Sequence, residues 1–244
     1  MLLPMALYFF SSCKKSDDHA PIANKTYLKK YTEENSVYEY FYDQQNRLTQ
    51  ETYSEPGYTS YTIVTGYDAS GNISSSKTRI TGNAAVSIQN YSYDSQNRPL
   101  VTETRDSATN NLYRTTTYSY NGNKTTRAIS YPGGTNGSRG EFTYDASGNM
   151  ILEEWYNSAG TKTTSTSYSS FDDKISPRSL LPHFSRNGIV FKNNSTAYVY
   201  TNLVAGTTTN YTTNYSYNSD HYPTQAVING GTAPFVINYT YEKR

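Results

Sequence analysis

Apolar and polar positions alternate along most of the chain, and tyrosine occupies many of the apolar ones. Residues two apart lie on the same face of a strand, so this period predicts strands with one ring-bearing face. No helical period interrupts the alternation. The ring pairs are Tyr38/Tyr40, Tyr91/Tyr93, Tyr118/Tyr120, Phe142/Tyr144, Tyr198/Tyr200, Tyr215/Tyr217 and Tyr239/Tyr241.

A short phrase ends most of these stretches. Its copies are YDQQNRL from Tyr42, YDASGNI from Tyr67, YDSQNRPL from Tyr93, YNGNKT from Tyr120, YDASGNM from Tyr144 and a weaker YNSDHYP from Tyr217. Asp or Asn opens a turn by accepting backbone N–H groups, and the following Gly or Asn tolerates positive φ. An apolar residue then begins another strand. Each phrase therefore predicts a hairpin tip.

The other turns follow no common phrase. They vary in length and composition, at residues 54–57, 81–83, 108–111, 132–137 and 157–160. The first five tyrosine phrases begin 24 to 27 residues apart, so each unit contains two strands and two turns. One edge of the predicted sheet is therefore regular and the other variable, which indicates different roles.

The units resemble YD repeats, the Tyr-Asp hairpins of Rhs and teneurin shells, clearly over residues 36–165 and weakly in the C-terminal third. The resemblance implies an all-β fold, an antiparallel β-hairpin repeat array that forms a curved or superhelical sheet. With about six units the chain is too small to encapsulate a polypeptide. Together with the N-terminus and the segment FDDKISPRSLLPHF, it looks closer to YD-repeat-like Bacteroidota lipoproteins of unknown function.

The segment 171–192 breaks the strand pattern. Ser176 followed by Pro177 predicts the N-cap and first position of a short helix, which Pro182 would end. We expect this irregular or helical segment to be a plug over one open end of the sheet, where it protects an edge. The side chains expected to be buried there are Leu180, Leu181 and Phe184.

Composition explains why tyrosine fills the apolar positions. Of 244 residues only 35% are hydrophobic, and 27 are tyrosine. A core can be built, but a thin one covered by amphipathic rings. The net charge is +1 and the basic residues are scattered singly, which argues against nucleic acid as a partner. A single cysteine excludes an intrachain disulfide framework.

The N-terminus predicts a cellular address. Residues 2–10 are apolar, too short to span a bilayer, and end at the sequence FSSC. This resembles a bacterial lipobox, which implies that Cys13 is diacylated and that the lipid anchor is its membrane partner. We therefore predict a signal peptide over 1–12, a tether over 13–25 and a single β domain over 26–244. The charged tether resembles that of surface-exposed outer-membrane lipoproteins.

The chain offers little for catalysis, so we predict a non-enzyme with no cofactor and no metal. It has three histidines and no metal-binding or nucleophile motif. Glu153 and Glu154 point to opposite faces of a strand and cannot act on one substrate together. Asp172 and Asp173 fit a turn at the start of the plug.

Aromatic residues toward the variable edge are the candidate ligand contacts, because the rings preceding each turn are needed for the core. These candidates for binding a glycan or a surface protein are Tyr53, Tyr58, Tyr61, Tyr113, Tyr131 and Trp155. In addition, the triplet at Ser107 resembles an acceptor of Bacteroidota O-glycosylation.

Three functions follow. The first is a non-catalytic envelope lipoprotein that binds glycan or protein. The second is a polysaccharide- or cell-wall-acting enzyme with a site near the plug, at Asp172, Asp173 and His183. The third is a structural spacer or a remnant of an Rhs-type system.

Overall fold

The computed structural model describes residues 25–82, 85–182 and 192–244. The predicted signal peptide, Cys13 and nearly all of the tether lie outside the described residues, as do His183 and Phe184. The strands are β1 (Thr26–Glu33), β2 (Ser36–Tyr42), β3 (Leu48–Ser54), β4 (Tyr61–Tyr67), β5 (Ile73–Ile80), β6 (Ala85–Tyr93), β7 (Pro99–Asp106), β8 (Leu112–Asn121), β9 (Lys124–Tyr131), β10 (Thr135–Tyr144), β11 (Met150–Tyr156), β12 (Lys162–Ile175), β13 (Asn193–Asn202), β14 (Thr207–Tyr217), β15 (Pro223–Asn229) and β16 (Phe235–Lys243).

The strands form a closed antiparallel barrel in which each one pairs with its sequence neighbours. Strands β1 and β16 complete the ring, with Thr26 opposite Lys243 and Glu33 opposite Ile237. The prediction of an open curved or superhelical array is therefore wrong, although the all-β class is right. Because all strands twist in the same sense, the sheet curves until β1 pairs with β16. This pairing leaves neither of the two strands with an exposed edge.

Closure is reinforced where the start of β1 meets the end of β16. The Arg244 backbone N–H donates to the Lys25 carbonyl at 3.1 Å. The Arg244 guanidinium also donates to the carbonyls of Tyr42 and Asp43, at 3.3 and 3.1 Å. The last residue therefore ties β16 to the first hairpin.

The ring pairs of the sequence face the barrel interior. Tyr40, Tyr118 and Phe142 are 5%, 6% and 1% exposed. Paired residues of neighbouring strands share a face, so the register places the alternate positions, such as Phe41 at 45% exposure, on the outside. The aromatic face of each strand is therefore the enclosed one.

The repeated Tyr-Asp phrases form the turns at one end of the barrel, which we call the Tyr-Asp rim. In the first, the Asp43 carboxylate accepts the backbone N–H groups of Gln45 and Arg47, both at 2.9 Å. Asn46 there has a φ of 62°, which asparagine tolerates. The ladder register shifts by a bulge just before the turn, between Phe41 and Tyr42.

The tyrosine of the phrase joins one hairpin to the strand before it. The Tyr42 hydroxyl donates to the Leu28 carbonyl at 2.7 Å, at the start of the preceding strand. This satisfies the buried hydroxyl while the ring covers the core. The same bond runs from Tyr67 to Leu48, Tyr93 to Ile73, Tyr120 to Pro99 and Tyr241 to Pro223, at 2.7–2.8 Å.

The segment predicted as a helical plug over an open end has a different structure. Its first residues, Phe171 to Ile175, continue β12, and Pro177–Leu180 form one turn of 3₁₀ helix. Leu181 packs with Leu28, Tyr40 and Leu48 in the core. The prediction fails because a closed barrel has no sheet edge to cover. Within the described residues, no helix has the length and apolarity to cross a membrane.

The turn between β15 and β16 supplies a test of the packing. A Cβ added at Gly230, where φ is 141°, would lie 2.3 Å from the Asn210 carbonyl oxygen. We expect Gly230→Ala to lower the free energy of unfolding by roughly 2–3 kcal/mol, because backbone atoms cannot yield as a side chain can. Urea denaturation measures it. Gly57→Ala, also at positive φ but with open space around it, should cost only about 1 kcal/mol. Equal losses would contradict the steric argument.

Candidate functional site

The barrel encloses a cavity of about 910 Å³. Its walls are formed mainly by β1–β6 on one side and by β13–β16 on the other. The core cluster of Leu28, Tyr40, Leu48 and Leu181 closes it toward the Tyr-Asp rim. In the other direction it reaches the β1–β2 and β15–β16 turns, at Glu34 and residues 231–234. We call this end, which carries the turns of variable sequence, the variable rim.

A row of stacked tyrosines runs along one side of the barrel interior, because cross-strand partners on adjacent strands are all tyrosine. Four of its five members, Tyr31, Tyr38, Tyr61 and Tyr239, line the cavity. The ring centroids of Tyr31 and Tyr38 are 4.3 Å apart, those of Tyr38 and Tyr53 are 5.0 Å apart, and those of Tyr53 and Tyr61 are 4.9 Å apart. Tyr239 continues the row, 6.3 Å from Tyr31. We call these five residues the tyrosine belt. Their ring faces and edges offer a wide aromatic surface inside the barrel.

A second, smaller group of aromatic rings lies on the opposite wall. The Tyr198 and Tyr211 rings stack at 4.8 Å, and Tyr168 lies 5.6 Å from Tyr198. Tyr198 and Tyr211 line the same cavity as the belt. A ligand in the cavity would therefore meet aromatic rings on both sides.

Glu51 of β3 stands in the cavity wall beside the belt. Its cross-strand partners are Tyr40 and Ile63, and Tyr53 follows it on the same face of the strand. Burial raises the pKa of the Glu51 carboxyl to about 7. Among the residues the structure describes, no cation or hydrogen-bond donor pairs with this carboxylate. Its charge is therefore uncompensated whenever the group is ionised.

A second carboxylate of the cavity has a cation close by. Arg178, on the 3₁₀ turn, extends into the cavity, where Glu33 also lies. Burial raises the pKa of Glu33, and the Arg178 guanidinium opposes that rise. The charge of Arg178 thus offsets that of Glu33, whereas Glu51 has no such partner.

On the side of β9–β12, interior side chains pack against one another. The Phe142 and Trp155 rings meet edge to face at 5.7 Å, and the Arg127 guanidinium lies 5.6 Å from the Trp155 ring. The Trp155 indole N–H donates to the Glu153 carboxylate at 2.6 Å, and the Tyr168 hydroxyl donates to the same group at 3.1 Å. Trp155 is therefore held by contacts with other side chains of the interior.

The six predicted ligand contacts do not form one site. Tyr53 and Tyr61 belong to the tyrosine belt, and Trp155 packs on the other side of the interior. Tyr58, Tyr113 and Tyr131 are exposed near the variable rim, at 70%, 63% and 40%. Ser107 lies in the β7–β8 turn, half-buried. Lipidation of Cys13 and glycosylation of Ser107 stay predictions.

The carboxylates of the alternative enzyme site are separated. The Asp172 carboxylate accepts the backbone N–H groups of Lys174 and Asn194, at 3.0 and 3.1 Å, and the Tyr217 hydroxyl also donates to it. Asp173 is 84% exposed in its side chain and pairs with Lys174 at 2.8 Å. In the described part of the chain, no three His, Cys, Asp or Glu residues are grouped to hold a metal ion.

Most residues that line the cavity were not among the predicted site residues, and the charged residues Glu33, Glu51 and Arg178 are among those missed. The sequence did contain a signal for Glu51. It lies two residues before Tyr53, so it falls on the ring-bearing face of the same strand. Arg178 followed the Ser-Pro start of an irregular segment, where no periodicity indicates which side chains are enclosed.

Solved structures with the same fold are described as porin-like. One, a porin-like protein from Bacteroides vulgatus, has a TM-score of 0.59 at 13% identity and covers 88% of this chain and 98% of its own. Another, from Bacteroides uniformis, has a TM-score of 0.56 at 15% identity and covers 90% and 96%. No family model matches the chain, and no curated protein matches it.

These similarities correct the resemblance drawn from the Tyr-Asp phrases. The closed barrel is similar to porin-like proteins over nearly the whole chain, so assignment to the YD-repeat lipoproteins related to Rhs and teneurin shells is wrong. The local phrase specifies a turn, and the same turn can join strands of a barrel. At these identities the similarity establishes the fold alone.

Proposed function

We propose that this protein is a non-catalytic component of the cell envelope, held at the outer membrane by a lipid on Cys13, whose barrel binds a small ligand in its cavity. The observation that carries the proposal is the cavity itself, with the tyrosine belt on one wall and Tyr198 and Tyr211 on the other. Aromatic rings facing each other suit the ring of a sugar, and a glycan terminus fits a cavity of this volume.

The outer face of the barrel supports a position in water. Thr102 and Thr104 face the interior at 5% and 4% exposure, so Glu103 and Arg105 face outward, where they pair at 2.9 Å. Further outward ion pairs join Glu141 to Lys124 and Arg139, and Glu154 to Lys162. A barrel that crosses a bilayer needs an apolar outer band, and a cation at the bilayer midplane costs roughly 2–4 kcal/mol. In this proposal the protein shares the barrel fold of the porin-like proteins and an envelope location, but it does not form a membrane-spanning pore.

The position of Lys25, just before β1, orients the barrel in this proposal. Lys25 and Arg244 lie together at the Tyr-Asp rim, which the core cluster separates from the cavity. A lipid attached upstream of Lys25 would hold that rim nearest the membrane. The variable rim, and with it the mouth of the cavity, would then face away from the bilayer.

A surface protein is the second candidate partner. The Tyr113 and Tyr131 rings meet edge to face at 6.3 Å near the variable rim and remain 63% and 40% exposed. Exposed aromatic side chains are typical of protein contact sites. These rings would meet a partner that approaches the cavity mouth.

A fractionation experiment tests the anchor and the water-facing barrel together. We expect the full chain, produced in a bacterium with an outer membrane, to incorporate labelled palmitate and to partition with membranes. Cys13→Ser should lose the label and move to the aqueous phase, because the charged outer face of the barrel does not enter lipid. Ser12→Ala serves as the control and should behave as the parent. Membrane association of unlabelled Cys13→Ser, resistant to salt and carbonate, would overturn the proposal.

A further inference from the structure

The charges that line the cavity do not balance. Among the residues that the structure describes, three carboxylates line it, those of Glu33, Glu34 and Glu51, against one guanidinium, that of Arg178. Arg178 acts on Glu33, so the uncompensated negative charge deepest in the barrel is that of Glu51. An ionised carboxylate away from bulk water is stabilised only by a partner charge or by hydrogen bonds.

Aromatic rings surround this carboxylate. Glu51 faces Tyr40 across the β2–β3 ladder, and the diagonal positions on the same face include Tyr38 and Tyr61. Diagonal neighbours lie within reach of aromatic side chains. The tyrosines on which the Glu51 charge acts are Tyr31, Tyr38, Tyr40, Tyr61 and Tyr91.

Resting on the proposed ligand-binding function, we infer that the Glu51 end of the cavity binds an organic ammonium group. A protonated amine or quaternary ammonium would supply the missing positive charge and lie against the faces of Tyr38 and Tyr61. Tyrosine faces attract such cations through the negative face of the ring, more strongly where water is excluded. A neutral sugar would leave the carboxylate unpaired, and an anion would be repelled by the excess of carboxylates.

A pair of probes of equal shape isolates the charge. Choline is cationic, and 3,3-dimethylbutan-1-ol replaces its nitrogen by carbon. We expect titration calorimetry of the full chain in a non-ionic detergent to show saturable binding of choline, with the neutral alcohol at least tenfold weaker. Glu51→Gln keeps the side-chain shape and should weaken choline binding at least tenfold. Glu103→Gln, on the outer face, should stay within twofold of the parent.

Substitution of Tyr61 is a second test of the inference. Tyr61→Phe keeps the aromatic face and should bind choline within threefold of the parent, whereas Tyr61→Leu should weaken binding at least fivefold. Equal affinity for choline and the alcohol, unchanged binding by Glu51→Gln, or no binding of choline would each overturn the inference. Saturable binding of maltose without binding of choline would overturn the inference and leave the proposed function standing, so the two failures are distinguishable.

The pH profile is an independent readout. The other titratable and charged groups around Glu51 are Glu33, Glu34, Arg178 and the five tyrosines named above. The pKa values of the five tyrosines are raised, so the tyrosines stay neutral below pH 9. Choline affinity should therefore fall at least fivefold between pH 8.5 and pH 5.5, as Glu51 takes up a proton. A profile that is identical in Glu51→Gln would contradict the assignment to this carboxylate.

Discussion

Phe142→Ala should lower the free energy of unfolding by about 3–5 kcal/mol, the largest loss expected from a single truncation in this barrel. The ring is 1% exposed and packs edge to face on Trp155, with Gly140 leaving the space it fills. Removing it opens a cavity that a closed wall of strands cannot collapse to fill. Thermal unfolding should show a midpoint lowered by roughly 10 °C.

The matched control is an aromatic residue on the outside of the wall. Phe41 is 45% exposed on the outer face of β2, so Phe41→Ala should cost less than about 1 kcal/mol. Comparable losses for the two variants would mean that the ring-bearing face is not the enclosed one, which would contradict the barrel itself.

Glu51→Gln should make the unliganded protein more stable at pH 8 by about 3 kcal/mol. Burial raises the pKa of Glu51 from 4.5 to about 7 in the folded protein, so the folded state holds a proton that the unfolded state has released between these values. Each pH unit over that window then costs about 1.4 kcal/mol of folding stability. The loss begins above pH 4.5 and is complete just above pH 7.

The comparison is made by urea denaturation at pH 4 and pH 8. Parent and Glu51→Gln should have similar stability at pH 4, where the parent carboxyl is protonated in both states, and should diverge as the pH rises. The Asp43 and Asp94 turn carboxyls, whose pKa values are lowered, contribute in the opposite direction and only at lower pH, equally in both proteins. A constant difference at all pH values would contradict the titration of Glu51.

A residue that lowers stability and lies in a cavity fits a binding role. Folding alone would favour an apolar or amide side chain at position 51, as Ile63 is on the neighbouring strand. Binding sites retain such groups because the ligand supplies the missing partner. The stability gained by Glu51→Gln and the choline affinity lost are thus two results of one unpaired charge.

The period-two tyrosines predicted the strands and their enclosed face, and the Asp carboxylates predicted the turns, because both signals are local. The closure of the sheet into a barrel could not be predicted, because the pairing within each hairpin is the same in an open array and in a barrel. The cavity could not be predicted either, because it exists only once the sheet is closed. Tyr53 and Tyr61 were predicted as exposed ligand contacts near a variable edge, but the curvature of the wall brings Tyr61 into the cavity, with Tyr53 stacked beside it. Trp155 shows the same limit. Strand alternation predicts which face of the sheet is enclosed, but it does not predict whether an enclosed ring lines the cavity or packs among other side chains.

The hydrogen bond between Lys25 and Arg244 means that the polypeptide enters and leaves the barrel at almost one point. A domain whose entry and exit points lie this close together is suited to insertion into another protein. It can be spliced into a surface loop of a carrier protein without spreading the loop or straining any strand. The cavity mouth would then point away from the carrier, so the barrel offers a ready format for a reporter of whatever the cavity binds.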